Sequence, residues 1–189
     1  ATGAVGRQML TCIEELLPQA EEVRLFASER SKGKTMRFRG TEIPVDVISE
    51  EGLQGLDYVL GAVSASLARE YAPMITKAGA VFVDNSRAFR LEDDVPLVVP
   101  EINGEDALLH HGIIANPNCS TIITMMAVAP IARISPVTKI IASTYQAVSG
   151  AGIGGMKELT EEVDDIAEGR EVHPSVFPAQ IAYNCIPMI

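Results

Sequence analysis

A chain of 189 residues that is 47% hydrophobic, with a mean hydropathy of +0.19, carries ample apolar material for a packed core. Its net charge of −10 argues against nucleic acids, whose binders carry basic patches, and against anionic membrane surfaces, although a few arginines can still make a local anion site. No apolar run reaches the roughly 18 residues that span a bilayer, and no charged-then-apolar leader pattern opens the chain.

Three cysteines, Cys12, Cys119 and Cys185, are too few and too scattered for a disulfide framework. No pair of them has metal-ligand spacing, so no metal is expected. A reducing cytoplasm is the simplest setting. The start at Ala1-Thr2-Gly3 and the apolar end at Met188-Ile189 read as the limits of a piece of a longer protein.

In chain order, a glycine turn opens into a helix, with Val5, Met9, Ile13, Leu16 and Leu17 at helical spacing and Pro18 ending the run. Residues 22–27 read as a strand, 28–34 as a polar loop, and 35–47 as one or two exposed strands. Further strands are predicted at 57–63, 80–84, 96–100 and 112–115. A helix is expected over 67–78, with Pro73 marking a bend or restart, and another over 120–131. Lys139 to Tyr145 reads as a long β-type run, followed by a glycine-rich turn at 149–155 and an acidic helix over 156–168.

Strands alternating with helices predict an α/β protein with a parallel sheet covered on both faces. The strand that should precede the first helix is expected upstream of Ala1, at the centre of a doubly wound sheet.

Five segments carry candidate chemistry. Gly3-Ala4-Val5-Gly6 heads a helix, where free N–H groups and the helix dipole can receive a phosphate; a plain glycine turn is the alternative. After the next strand, Arg30 and Ser31 suit a 2′-phosphate, whereas Glu29 would suit a ribose hydroxyl, and an ordinary solvated loop stays open. Cys119 sits where a strand gives way to a helix, a place that favours the thiolate and nucleophilic catalysis. The other reading is a small buried cysteine, with Asn118 or Ser120 as the helix cap. Gln146, at the end of the Lys139–Tyr145 run, could orient a substrate or cofactor, although the segment by itself is only a turn. Arg87 and Arg90 follow a strand at the ligand side of the sheet and could hold an anion by a bidentate contact, with plain solvent-exposed arginines as the other reading. Cys12 and Cys185 read as structural. His110, His111 and His173 lie in turns and are poor candidates for a catalytic base.

Taken together, Ala1–Gly6, Val81-Phe82-Val83-Asp84-Asn85-Ser86, Ala88-Phe89-Arg90, Pro96–Asn103, Gly112–Ile122, Ser143–Gly152 and Gln180–Pro187 resemble the aspartate-semialdehyde dehydrogenase family. The specific elements are Asn116-Pro117-Asn118-Cys119-Ser120-Thr121 and Tyr145-Gln146-Ala147-Val148-Ser149-Gly150-Ala151-Gly152, in that order.

The resemblance implies a Rossmann-type NADP-binding domain over residues 1–118, lacking its first strand. Residues 119–189 would then begin an α+β catalytic and dimerisation domain. It implies Cys119 as acyl-thioester nucleophile, Gln146 and Asn118 as substrate-binding, and Arg90 as phosphate-binding. Thr2, Gly3, Ala4 and Val5 would touch the cofactor pyrophosphate, Arg30 and Ser31 its 2′-phosphate, and Ser149 and Gly150 its nicotinamide half. The implied reaction is reversible, NADPH-dependent reductive dephosphorylation of L-4-aspartyl phosphate to the semialdehyde, in lysine, methionine and threonine biosynthesis, by a cytoplasmic homodimer. The family's histidine, its substrate-binding Arg and Glu and a phosphate-binding Lys would lie beyond Ile189, so the 189 residues alone should not turn over. The family's usual Ser-Ala-Gly-Gly turn is replaced here by Ala62-Val63-Ser64-Ala65. Two other readings stay open: N-acetylglutamyl-phosphate reductase, and a non-catalytic nucleotide-binding domain.

Overall fold

The computed structural model describes residues 1–187, which divide into two compact units. One comprises Ala1–Thr2 and Gly6–Ala142. The other comprises Gly3–Val5 and Ser143 onward. The cut through the first helix puts the opening glycine turn with the second unit.

Helix α1 runs from Ala4 to Leu16. Its buried residues are Gly6 and Leu10, while Leu16 and Leu17 stay exposed, so the core-facing stripe is narrower than the helical spacing suggested. β1 is only Leu25–Phe26, shorter than the strand predicted over 22–27. β2 (Thr35–Phe38) and β3 (Thr41–Asp46) form an antiparallel hairpin, and β1 pairs parallel with β3. The turn residues Arg39 and Gly40 both have positive φ, as a tight hairpin requires. Leu10, Leu25, Phe38 and Val45 make a small core between α1 and this sheet.

A short helix, α2 (Glu50–Leu53), leads to β4 (Tyr58–Gly61). α3 (Ala65–Lys77) follows, capped by the Ser64 hydroxyl, which accepts from Leu67 N. It continues through Pro73 with no break. β5 (Val81–Asp84) and β6 (Ile113–Ala115) complete a parallel sheet in the order β4-β5-β6. The main core lies under it: Leu53, Ala68, Ala72, Ile75, Phe82, Phe89 and Ala115 are all buried, with the Phe82 and Phe89 rings edge to face.

β1 and β4 each have one edge without a paired strand among the described residues. Ala1 N donates to Phe26 O on the open side of β1.

Two predicted strands are not formed. Residues 96–100 make a single bridge, Leu97 to Ala115, before Pro100 starts the short helix α4 (Pro100–Asn103). Pro cannot donate to a ladder but suits a helix start. The run from Lys139 to Tyr145 has no regular structure and is exposed throughout. α5 (Cys119–Ala132) buries none of its residues, although its sequence is strongly apolar.

The second unit is built on α6 (Gly152–Ala167), which starts within the glycine run rather than at Met156 and follows a 3₁₀ turn at Val148–Ala151. Its buried face carries Gly155, Glu158 and Glu162. An added Cβ at Gly155 would stand 2.7 Å from Val148 O, so only glycine lets the turn close on the helix. Glu158 accepts hydrogen bonds from Ser175 N, Ser175 Oγ, Val176 N and Phe177 N. Glu162 accepts from Ile181 N and Ala182 N. Two carboxylates of the acidic helix therefore clamp the segment that follows it.

Burial raises the Glu158 pKa, but the hydroxyl and backbone donors outweigh it and hold the carboxyl at about 2. An unfolded glutamate titrates near about 4.3. The clamp therefore stabilises fully above about 4.3 and is lost as pH falls toward 2. The protection of the Ser175–Phe177 amides, relative to their intrinsic exchange rates at each pH, should fall across that window. In Glu158→Gln the protection should be low already at neutral pH and should change little across it. An unchanged acid profile in the variant would show that another group clamps the segment.

Candidate active site

Asn118 and Cys119 are placed by the end of β6. The strand stops at Ala115, the buried Pro117 turns the chain, and Asn118 caps α5, its Oδ1 accepting from Ser120 N at 3.0 Å. Cys119 is the first helical residue and is exposed. The cap is thus Asn118, and the buried-cysteine reading is corrected. Because Asn118 takes the Ser120 N–H, the N–H groups of Cys119 and Thr121 are the first-turn donors left for a developing oxyanion. The Asn118 amide nitrogen is likewise not used by the cap. Cys12 and Cys185 are exposed too, so core packing does not account for either.

Arg90 lies beside the same turn. Its Nε donates to Asn116 O and its Nη2 to Asn85 O, both at 2.9 Å. The edge of the guanidinium expected to clamp an anion is therefore engaged with backbone carbonyls, and Nη1 is the nitrogen left over. Asn85 and Asn116, which sequence reading did not single out, are joined by their side chains at 2.5 Å. Asp84 is fully buried and holds Ser86 through both its N–H and its hydroxyl. The signal that marks this cluster is the same residue, asparagine, immediately following two adjacent parallel strands.

Among the cofactor candidates, Thr2 and Ser31 meet with their hydroxyls 3.3 Å apart. Ser31 is buried at the end of a 3₁₀ turn, Glu29–Ser31, and Arg30 on the same turn is exposed. Gly3 has open space where a Cβ would stand, and α1 has no acidic residue in its first turn. Within the first unit, the Thr2 and Ser31 hydroxyls and the Arg30 guanidinium are donors of the kind that suits an anionic group. Gln146 is exposed in an irregular stretch of the second unit, and Ser149 and Gly150 are exposed in its 3₁₀ turn. Arg87 is exposed, and His110 Nδ1 accepts from Gly112 N.

Among the described residues, no cluster of three His, Cys, Asp or Glu could hold a metal ion, and no helix is long and apolar enough to cross a membrane.

Comparison with known proteins bears on these features. Residues 1–110 match the family model of the semialdehyde dehydrogenase NAD binding domain, and residues 128–189 that of the semialdehyde dehydrogenase dimerisation domain. An aspartate-semialdehyde dehydrogenase of Synechocystis sp. is 44% identical over 99% of the chain and 55% of its own length. The crystal structure of aspartate semialdehyde dehydrogenase II from Vibrio cholerae, complexed with ASA, superposes with a TM-score of 0.93 at 40% identity, over 100% of this chain and 57% of that one. The enzyme from Candida albicans, solved with NADP, is 26% identical over 70% of this chain and 44% of that one, with a TM-score of 0.57. The chain spans about half the length of these relatives.

Proposed function

We propose, from the premise that this chain belongs to the semialdehyde dehydrogenase family, that it forms the NADP-binding part and the start of the catalytic part of an aspartate-semialdehyde dehydrogenase. The observation that carries the reading is Cys119, exposed at the first position of a 14-residue helix and set there by an asparagine cap on its neighbour.

In this reading residues 1–118 bind the cofactor and residues 119–189 open the catalytic and dimerisation domain. That division falls between the two matched segments, 1–110 and 128–189. Thr2 and the N–H groups of Gly3, Ala4 and Val5 would hold the pyrophosphate, Arg30 and Ser31 the 2′-phosphate, and Ser149 and Gly150 the nicotinamide half. NADPH, when bound, is the hydride source for reduction to the aldehyde level.

The protein's own part begins with Cys119. Its thiolate adds to the acyl carbon of L-4-aspartyl phosphate, the bond from that carbon to the phosphate oxygen breaks, and a thioester on Sγ remains. The N–H groups of Cys119 and Thr121 face the charge that builds on the carbonyl oxygen. Gln146 and the amide nitrogen of Asn118 orient the substrate, and Nη1 of Arg90 receives the departing phosphate. The whole protein would act as a cytoplasmic homodimer in lysine, methionine and threonine biosynthesis.

The test is the reverse reaction. The full-length protein should form NADPH from aspartate semialdehyde only when inorganic phosphate is present, while the 189-residue chain should not. Phosphate-independent NADPH formation by the full-length protein would overturn the acyl-phosphate chemistry.

A further inference from the structure

Cys119 owes its place to a turn of three residues, and that turn is held by contacts outside itself. Asn116 N continues the β5–β6 ladder by donating to Asp84 O at 2.9 Å. One residue beyond each strand, Asn116 Nδ2 donates to Asn85 Oδ1 at 2.5 Å. Arg90 then spans the pair, binding the carbonyl of Asn116 through Nε and that of Asn85 through Nη2. The β5 end is itself fixed: Asn85 N donates to Gly61 O, and buried Asp84 folds Ser86 back so that its Oγ accepts from Ala88 N. Both main-chain polar groups of Asn116 and its side-chain amide are therefore engaged, two positions before the cap and three before the thiol.

Hydrogen bonds within a half-buried network of this kind fix one geometry when all members are satisfied, and release it when one is removed. Ordinary helix capping does not require them, because Asn118 caps α5 with its own side chain.

We propose that Asn85 and Asn116 are positioning residues for the Cys119 nucleophile. Their amide bridge, spanned by Arg90, sets the direction in which α5 presents the thiol and its first-turn N–H groups. Neither asparagine needs to touch substrate for this. The inference rests on the reading of Cys119 as the nucleophile.

The experiment uses the full-length protein with Asn85→Ala, Asn116→Ala and Asn85→Asp. Asp at position 85 keeps an acceptor for Asn116 Nδ2 and should rescue. Small displacements of reacting groups cost up to about 10²-fold, so both alanine variants should lose about tenfold or more in kcat, with the KM for NADPH within about twofold. Iodoacetamide labelling, resolved by peptide mass spectrometry, should show the Cys119 rate shifted several-fold relative to Cys12, an exposed thiol on α1 that serves as an internal standard. Should the alanine variants fail to fold, the isosteric pair Asn85→Asp and Asn116→Asp together sets acceptor against acceptor at unchanged volume. It should lose activity where Asn85→Asp alone does not.

Unchanged kcat and labelling ratio in the alanine variants, or equal activity of the single and double Asp variants, would overturn the proposal. Turnover that survives Cys119→Ala would instead overturn the underlying reading, so the two failures are distinguishable.

Discussion

Replacing Cys119 by alanine in the full-length protein should lower turnover by at least about 10³-fold and leave NADP affinity within about twofold. The size follows from the proposed role: without a nucleophile no thioester would form, and only binding and oxyanion stabilisation would remain to help the reaction. The structure also removes the ordinary alternative explanation for such a loss. Cys119 is exposed, and the cap of α5 is Asn118. An exposed substitution away from caps and cores changes stability by no more than about 0.5 kcal/mol. The variant should therefore melt where the parent does. Steady-state assay, NADP titration and thermal unfolding of one preparation check all three statements. Retained turnover would refute the assignment, and a large drop in melting temperature would show that the thiol is structural.

What was legible in the sequence was mostly what is decided locally. The strands around Phe82 and Ile114 and the helices α3 and α5 carry their own signals, from apolar runs to the Ser64 and Asn118 caps. Pro73 does not restart the helix, which runs unbroken from Ala65 to Lys77. Lys139 to Tyr145 does not form a strand. A β-type run becomes a strand only against a partner, and among the described residues nothing pairs with it. Its Ile140 and Ile141 stay exposed, as do Ile123 and Ile131 of α5.

The site divides along the same line. The positions of Asn118 and Cys119 at a strand–helix junction were visible from spacing alone. The contacts of Arg90 were not, because they join residues 26 positions apart across two strand ends. Glu158 and Glu162 were hidden by composition. They lie one turn apart in a helix rich in acids, and only the fold shows that those two carboxylates turn inward while their neighbours meet water.

The second large effect concerns the cofactor. Arg30→Ala in the full-length protein should raise the KM for NADPH by about 10- to 100-fold while moving that for NADH by less than about threefold, with kcat nearly unchanged. The magnitude corresponds to losing a charged hydrogen-bond partner worth about 1.5–3 kcal/mol. The selectivity arises because only NADPH carries the 2′-phosphate that Arg30 would pair with. Its neighbours sharpen the expectation. Ser31 is buried with its hydroxyl against that of Thr2, which anchors the 3₁₀ turn at its far end. Arg30 on that turn is exposed, and so is Glu29. Without Arg30, Glu29 is left as the charged side chain of the turn, and a carboxylate there favours a ribose hydroxyl over a phosphate. Salt should weaken the parent's preference for NADPH, since the guanidinium is open to solvent and screened within about 10 Å at 0.1 M. The variant's residual preference should be nearly insensitive to salt. If both cofactors weaken equally in Arg30→Ala, the guanidinium holds the shared pyrophosphate, and NADP selectivity must come from elsewhere in the protein.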